Sequence, residues 1–398
     1  MFTTAYQLGG AMFPSLRSWK FLGKNQPPFC PSRSNDRILL SIFLTARLDL
    51  LDINIGPINE PEAILAQDRS RLFHNPLPYL SKVAFLKQLA LSLPNLTTLR
   101  LFDSVEHYRT SPVKELYSLP LLLSSWPKIH TLRFSFHFYL SDELLAALTR
   151  MPNLKRLDIK TPCIIRSASS SDLPPIENPF PQLEQLEIQE AQNIVMFLPY
   201  LSRCTTLQSL HISSAKTTAP FLQQVKFLQS RLRKISLGRL SGSFKTSDFR
   251  SLILFRNLVT FEFTTYYALE IDDKGFAEVI RQLPLLEELH MGCYDTGNDD
   301  VIETRLTLVA LNHLVVECAH LKSVDLILSI LSVPTLLTSP HPAQRRGSIM
   351  IGFPASTIHP QLDIRPWLLE CCKEYDVVQV CMPGFGPSVR LKGPLGRT

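Results

Sequence analysis

A short pattern of aliphatic and polar residues recurs along this chain. Its form is aliphatic-x-x-aliphatic-x-aliphatic, and clear copies start at Leu154, Leu183, Leu207 and Leu286. Side chains of a β-strand alternate between the two faces of a sheet, so the second and third aliphatic residues of each copy share one face. Each copy therefore predicts a short strand with one buried face and one outward face.

The spacing of the copies shows that they form a repeat. Further copies start at Leu96, Ile129, Leu232, Leu258 and Leu321, and less regular ones start at Leu16 and Leu48. From Ile129 to Leu286 the successive starts are 25, 29, 24, 25, 26 and 28 residues apart. A period of roughly 20–29 residues is typical of leucine-rich repeats.

Proline gives a second signal, which does not depend on the spacing. It stands two residues before six of the eleven starts, as Pro14, Pro94, Pro127, Pro152, Pro181 and Pro284. Proline ends a helix and favours extended backbone in the residue before it. Between copies, amphipathic stretches such as Asp142–Arg150, Lys274–Leu283 and Leu306–Ala319 predict helices, with Ser247 and Asp273 as candidate caps.

The predicted fold is an α/β leucine-rich-repeat solenoid. We expect it to be curved, with parallel strands on the concave face and helices on the convex face. The irregular repeat array is predicted over residues 1–331, a Pro/Ser-rich linker or loop over 332–359, and a C-terminal capping segment over 360–398. In that last segment the pattern predicts a helix over Ile364–Tyr375 and a strand over Val377–Cys381.

The outward positions of the strands form the candidate recognition surface. The middle outward position of successive copies holds Lys20, Asp52, Arg100, Arg133, Asp158, Glu187, His211, Ser236, Glu262, His290 and Asp325. The neighbouring outward position adds Arg156, Lys234 and Glu288. Stacked repeats present such a ladder as one continuous surface. We expect the partner-binding residues to be Arg100, Arg133, Arg156, Asp158, Glu187, His211, Lys234, Glu262, Glu288 and His290.

Composition and charge narrow the class of function. Hydrophobic residues make up 45% of the 398, which is apolar enough for a large core and excludes a mainly disordered regulator. The net charge of +6 conceals a basic block from Arg203 to Arg256, followed by an acidic block from Glu262 to Glu303. Opposed blocks of charge select a protein partner, and the acidic block disfavours nucleic acid.

No catalytic, cofactor or metal motif is present in the sequence. P-loop, H-E-x-x-H and G-x-S-x-G patterns are missing, and the turn over residues 295–300 departs from a calcium loop. None of the eight cysteines forms a C-x-x-C pair. We therefore predict a non-enzymatic protein without cofactor or metal.

Signals for targeting and modification are sparse. The N-terminal residues lack the pattern of a signal peptide, and the apolar runs are too short to span a bilayer. We expect a cytoplasmic or nuclear protein that does not enter a membrane. Ser348 follows Arg345-Arg346-Gly347 and is a candidate kinase site, and the serines of residues 167–171 lie in a predicted exposed loop.

Several segments resemble a known family. LPNLTTLRL, MPNLKRLDI, FPQLEQLEI and LPLLEELHM are similar to the irregular leucine-rich repeats of the ribonuclease-inhibitor-like superfamily, and in style to fungal F-box/leucine-rich-repeat proteins. The resemblance implies a substrate receptor of a ubiquitin ligase, or a fragment of one, which binds a Skp1-type adaptor through an F-box. Residues 36–43 resemble an F-box core but lack its leading Leu-Pro.

Two alternatives stay open beside this interpretation. One is a free-standing leucine-rich-repeat scaffold, and the other is a GTPase-activating regulator built on the same fold. The asparagine that usually follows the strand in such regular repeats is replaced here by Ser104, His137, Pro162, Ala191 and Ala215.

Overall fold

The structure of the chain is a computed structural model. It describes residues 18–21, 49–54, 93–102, 123–135, 139–140, 142–159, 164–165, 177–189, 197, 200–213, 231–240, 244–265, 269–293, 304–330, 332–337, 347–353, 364–373, 375–381 and 389–392. These residues belong to two compact units, Met1–Thr206 and Leu207–Thr398. Each unit is described by itself.

The first unit is a run of parallel strands with one described α-helix. Its main sheet holds β1 (Ser18–Phe21), β2 (Leu50–Asn54), β3 (Thr98–Phe102), β4 (Thr131–Ser135), β6 (Arg156–Ile159) and β8 (Gln185–Ile188) in that order. Neighbouring strands of this sheet pair in parallel. Two short strands, β5 (Tyr139–Leu140) and β7 (Ile164–Ile165), pair separately, and helix α1 spans Asp142–Thr149.

The second unit repeats this arrangement with more helix. Its main sheet holds β9 (Ser209–Ile212), β10 (Lys234–Leu240), β12 (Thr260–Thr265), β14 (Glu288–Cys293), β15 (Ser323–Ile327), β16 (Ser348–Gly352), β17 (Val377–Cys381) and β18 (Val389–Lys392). Only β18 is antiparallel among these described strands. A small pair is formed by β11 (Phe244–Lys245) and β13 (Leu269–Glu270). The α-helices are α2 (Thr246–Arg250, continued by a 3₁₀ turn over Ser251–Leu254), α3 (Asp273–Ile280), α4 (Leu308–Glu317) and α5 (Arg365–Cys371).

The register of the strands explains the aliphatic pattern. The second aliphatic residues of successive copies lie opposite one another, as in Leu132, Leu157 and Leu186 of the first unit. In the second unit Leu210, Ile235 and Phe261 do the same. All of these side chains are at most 1% exposed, so each repeat buries its strand against the next. The predicted leucine-rich-repeat α/β fold with parallel strands is confirmed.

Backbone hydrogen bonds join successive repeats just before each strand begins. The residue after the first aliphatic of a copy offers one carbonyl to two amides of the next copy. The His130 carbonyl accepts from Lys155 N and Arg156 N at 2.8 and 2.9 Å, and the Arg233 carbonyl accepts from Val259 N and Thr260 N at 2.7 and 2.9 Å. Thr97, Lys155, Gln208, Val259 and Glu287 offer their carbonyls in the same way. The repeats are thus linked by their main chain at this edge.

The helices pack on the buried side of the strands. Phe249 of α2 stacks on Phe276 of α3, with ring centroids 5.5 Å apart, and lies 6.1 Å from Phe261 of β12. In the first unit Leu144, Leu145 and Leu148 of α1 are at most 1% exposed. The inward face of the sheet is therefore covered by apolar helix residues, which leaves the other face for polar side chains.

The cap predicted at Asp273 is displaced by one residue. Asp272 caps α3, because its side chain accepts a hydrogen bond from Gly275 N at 2.6 Å. The Asp273 carboxylate instead accepts from Thr307 N and Thr307 Oγ1 of the next repeat, at 2.8 and 2.6 Å. Thr307 in turn caps α4 by accepting from Val309 N. One carboxylate thereby ties the start of α3 to the start of α4.

The ladder of parallel strands continues beyond residue 331. Strand β16 lies inside the predicted linker of residues 332–359 and pairs in parallel with β15 on one side and β17 on the other. Gly347 precedes it where a Cβ atom would approach the Lys322 carbonyl oxygen to 2.0 Å, so only glycine fits. The division of the chain at residues 331 and 359 stays a prediction. The segment between these residues contains strand β16, which the sequence analysis did not predict.

Candidate functional site

The outward middle positions of the strands line up across each unit. In the first unit the outer column consists of Lys20, Asp52, Arg100, Arg133, Asp158 and Glu187. In the second unit it consists of His211, Ser236, Glu262, His290, Asp325, Met350 and Gln379. Every residue that the sequence placed at this position occupies it. That these residues bind a partner stays a prediction.

A carboxylate is buried in the outer column of the first unit. Asp158 is only 3% exposed, and Arg156 Nε lies 2.9 and 3.1 Å from its two oxygens. The same guanidinium reaches Glu187 on the next strand at 3.3 Å. The pKa of Arg156 is raised chiefly by the hydrogen bond to Asp158, which together with both carboxylate charges outweighs the opposing effect of burial. Arg156 therefore holds two acidic residues of the column.

Arg133 lies next to this cluster without sharing in it. It is half-buried and stands in register between Arg100 and Asp158. The structure gives the Arg133 guanidinium no hydrogen bond or ion pair within the described ranges, while Arg156 occupies both Asp158 oxygens. A cation in this position is available to an acidic group of another molecule.

The outer column of the second unit contains a hydrogen-bonded polar network. His211 Nδ1 lies 2.7 Å from Ser236 Oγ, Lys234 Nζ forms a salt bridge with Glu262, and Ser236 also bonds to Glu262. Burial by itself raises the pKa of Glu262, but the hydrogen bonds from Lys234 and Ser236 and the charges of Lys234 and His290 bring it below its ordinary value. Glu262 is thus a stabilised carboxylate within the protein.

This network differs from a catalytic triad in its order. A serine nucleophile needs a histidine whose second nitrogen contacts the acid. Here Glu262 contacts the Ser236 hydroxyl and not the imidazole, and Ser236 is 3% exposed. The arrangement fixes the orientation of these side chains on the sheet face.

Glu288, the remaining predicted residue on this face, is held by one neighbour. Its carboxylate accepts a hydrogen bond from Thr260 Oγ1 at 3.1 Å. On the strand, Glu288 lies opposite Thr260 on one side and Ser323 on the other. No cation contacts it within the described residues.

The basic and acidic blocks of the sequence lie side by side in space. Lys234 pairs with Glu262, and Arg250 of α2 pairs with Glu278 of α3 at 2.8 Å. Both pairs join residues 28 positions apart, because 28 residues is close to one repeat. The two blocks therefore partly neutralise each other between neighbouring repeats. This differs from the separated charges that the linear sequence indicated.

For some predicted features the structure gives the position but does not test the role, and other predicted features lie outside the described residues. Ser348 is exposed at the start of β16, but its strand is paired on both sides. Phosphorylation of Ser348 stays a prediction. The serines of residues 167–171, the F-box-like residues 36–43 and the turn at 295–300 lie outside the described residues. Within the described part of the chain, no helix is long and apolar enough to cross a membrane, and no group of histidine, cysteine or acidic residues could hold a metal ion.

The pattern did not reveal that the outer column extends to Met350 and Gln379. The copy that contains β16 begins with Arg346, where other copies have an aliphatic residue, and the copy that contains β17 begins with Tyr375. These starts are 25 and 29 residues after the preceding ones, at Leu321 and Arg346, which is within the period of the repeat. The strand over Val377–Cys381 was predicted and is confirmed as β17, whereas β16 was missed. A search for spacing alone would have found β16 and would have assigned both strands to the repeat.

Strand register, repeat period and helix packing together define a leucine-rich-repeat fold. Among solved structures, the chain is similar to an internalin from Listeria monocytogenes, with 17% identity over 72% of this chain and 75% of that chain and a TM-score of 0.31. No family model and no curated protein matches the chain. The fold assignment rests on the strand register described above, since a likeness at this level supports no functional inference.

Proposed function

We propose that the outer columns bind a protein partner and that the chain acts without catalysis. The observation that supports this most is the strand register. It places polar side chains at equal intervals on backbone that is hydrogen-bonded on both sides, so the side chains stand on a rigid surface. Rigid, regularly spaced side chains lose little entropy on binding and suit the recognition of an extended partner surface.

The charges on the surface indicate how a partner is selected. Arg156 and Lys234 are engaged by carboxylates of the protein, whereas Arg133 and Glu288 have no partner of opposite charge within the described residues. A partner that offers opposite charges at the matching positions is favoured, and one with like charges is rejected. The proposed binding residues remain the ten that the sequence predicted.

A finer proposal concerns the cellular role. The repeats resemble those of F-box/leucine-rich-repeat proteins, so we propose a substrate receptor of a ubiquitin ligase, or part of one, located in the cytoplasm or nucleus. Co-purification of the chain with a Skp1-type adaptor tests this role. If the adaptor does not bind, a free-standing scaffold is favoured. Stimulation of GTP hydrolysis by small GTPases would support the regulator alternative, which no contact in the structure favours.

Site-specific photo-crosslinking tests the recognition surface itself. A photoreactive amino acid is placed in the full chain at Arg133, Gln185 or His211 on the strand face, and at Glu143 or Lys274 on exposed helix positions as controls. Extract from the source cells is irradiated, and the crosslinked proteins are identified by mass spectrometry. We expect the strand-face positions to capture one common protein that the helix positions do not capture. Capture only from the helix positions would contradict the proposal.

Charge reversal provides the matching functional control. Arg133→Glu should abolish capture at Gln185 and leave the chain folded, because Arg133 has no ion pair to lose within the described residues. Arg150→Glu, an exposed residue at the end of α1, should leave capture intact. Equal capture by both variants would show that the outer column does not contact the partner.

A further inference from the structure

The outer column changes its chemistry at β16. The column residue there is Met350, which is 38% exposed. Among the described residues it is the only large hydrophobic side chain on a strand that is this exposed; the others lie in turns, loops or helices. Ile327 on β15 and Val377 on β17 are half-buried at diagonal outward positions, so the three form an apolar stripe.

A carboxylate stands directly beside this stripe. Asp325 lies opposite Met350 on one side and His290 on the other. Burial raises the pKa of Asp325, and the charge of His290 offsets this only in part. No hydrogen bond or ion pair to its carboxylate occurs within the described ranges. A half-buried carboxylate in this state is less well solvated than one in water and gains from a cation that approaches it.

Glycines leave room for a side chain next to Asp325. Gly292 lies on β14 two residues after His290, which is the register partner of Asp325, and a Cβ atom built on Gly292 would meet nothing within 4 Å. On the other side, Gly352 lies opposite Ile327, and its Cβ atom would come to 3.3 Å from Ile327 Cγ1. Ile327 therefore leans over Gly352, and among the described residues no atom fills the space above Gly292.

We propose that the surface formed by Asp325, Ile327, Met350 and Gly292 binds an arginine or lysine side chain of an extended protein segment. These two residues combine an aliphatic stem with a cationic head, which matches an apolar stripe beside a carboxylate. The stem lies on Met350 and Ile327, and the head reaches Asp325, with the carboxylate of Glu288 on the neighbouring strand adding attraction. Phosphate groups would be repelled by the same carboxylates, which disfavours a nucleic acid. This proposal rests on the proposed function, since it names the chemistry that one part of the recognition surface takes.

Methyl NMR of the methionines gives a direct test that needs no knowledge of the natural partner. The full chain is prepared with ¹³C-methyl methionine, and the Met350 signal is assigned with Met350→Leu. The probes are the peptides acetyl-Ala-Arg-Ala-methylamide and acetyl-Ala-Gln-Ala-methylamide. A 12-mer of single-stranded oligothymidine is a third probe. We expect the arginine peptide to shift the Met350 signal saturably and to bind roughly tenfold more tightly than the glutamine peptide, as one charge-assisted contact provides.

Two variants distinguish the surface from a general charge effect. Asp325→Asn should remove the preference for arginine, whereas Glu370→Gln, at an exposed carboxylate on α5 paired with Lys373, should retain it. Equal binding of the arginine and glutamine peptides, an unchanged preference in Asp325→Asn, or a larger shift with the oligonucleotide would overturn the proposal. None of these results bears on crosslinking at Arg133, Gln185 or His211, so the proposed function can fail or stand separately.

Discussion

Removal of the Arg156 side chain isolates the contribution of the charged outer column to stability. Asp158 is 3% exposed and both its oxygens lie within 3.1 Å of Arg156 Nε, so Arg156→Ala leaves a buried carboxylate without its cation. Breaking a fully buried ion pair costs about 3–5 kcal/mol. The Arg156 side chain is 45% exposed, however, and water can take its place. We therefore expect a loss of about 1–3 kcal/mol, the range for a buried acceptor left unsatisfied.

Urea unfolding followed by circular dichroism measures this loss in the full chain. Long repeat arrays can unfold in stages, so amide hydrogen exchange of residues 156–159 should be recorded as a local measure. The double variant Arg156→Ala/Asp158→Asn keeps the shape of the side chain but removes its charge, and it should recover much of the loss. If the single and the double variant are equally stable, the buried charge of Asp158 does not explain the effect, and the reasoning is refuted.

Further predictions concern contacts between repeats and the dependence on pH. Asn312, 3% exposed in α4, bonds to Thr335 O and Leu337 N, so Asn312→Ala should cost about 1–3 kcal/mol and speed amide exchange over residues 332–337; unchanged exchange there would contradict this. Thr307→Val removes the hydroxyl bonded by Asp273 and should cost about 1–2 kcal/mol in urea unfolding, whereas a neutral result would show that the link between α3 and α4 is dispensable. Because burial raises the pKa of Asp325 above 3.8, the native protein loses stability as the pH rises through that higher pKa. The stability of Asp325→Asn relative to wild type should therefore increase between pH 3 and pH 7. The pKa of Glu262 is lowered from 4.5, so its contribution to folding stability is present at neutral pH and is lost as the pH falls through the lowered value. Glu262→Gln should therefore destabilise the protein at pH 7. Thermal melts across this pH range check both predictions, for Asp325 and for Glu262.

The sequence predicted the main features of the fold because the strands alternate strictly. In the copy at Leu154, a period of two residues places Leu157 and Ile159 on the buried face and Asp158 on the outward one, and the register confirms this. Helices were also found where the pattern was strong, as for α3 and α4, although their ends differ by a few residues. Strand β16 was missed because Arg346 stands where an aliphatic residue was required.

The contacts within the site could be predicted only in part. Alternation placed Lys234 and Glu262 on the same face, but their pairing depends on the offset of 28 residues between neighbouring repeats. Asp158 pairs with Arg156 of its own strand, so Arg133 has no acidic partner within the described residues. Side-chain conformation decides which arginine Asp158 pairs with. The surface beside Met350 depends on Gly292 of β14 and on Gly352 of the strand that carries Met350, and no local pattern indicates how these two glycines lie relative to Asp325.

A pair of neighbouring substitutions tests the central claim that inward aliphatic residues form the core and outward polar residues form the surface. Gln185 is exposed and Leu186 is 1% exposed on the same strand, and both can be changed to aspartate. The account predicts that Leu186→Asp lowers the free energy of unfolding by more than about 4 kcal/mol, since an unpaired charge enters the core. Gln185→Asp, which lies opposite Arg156, should unfold at the same urea concentration as wild type. Equal stability of the two variants would contradict the assigned register and, with it, the recognition surface.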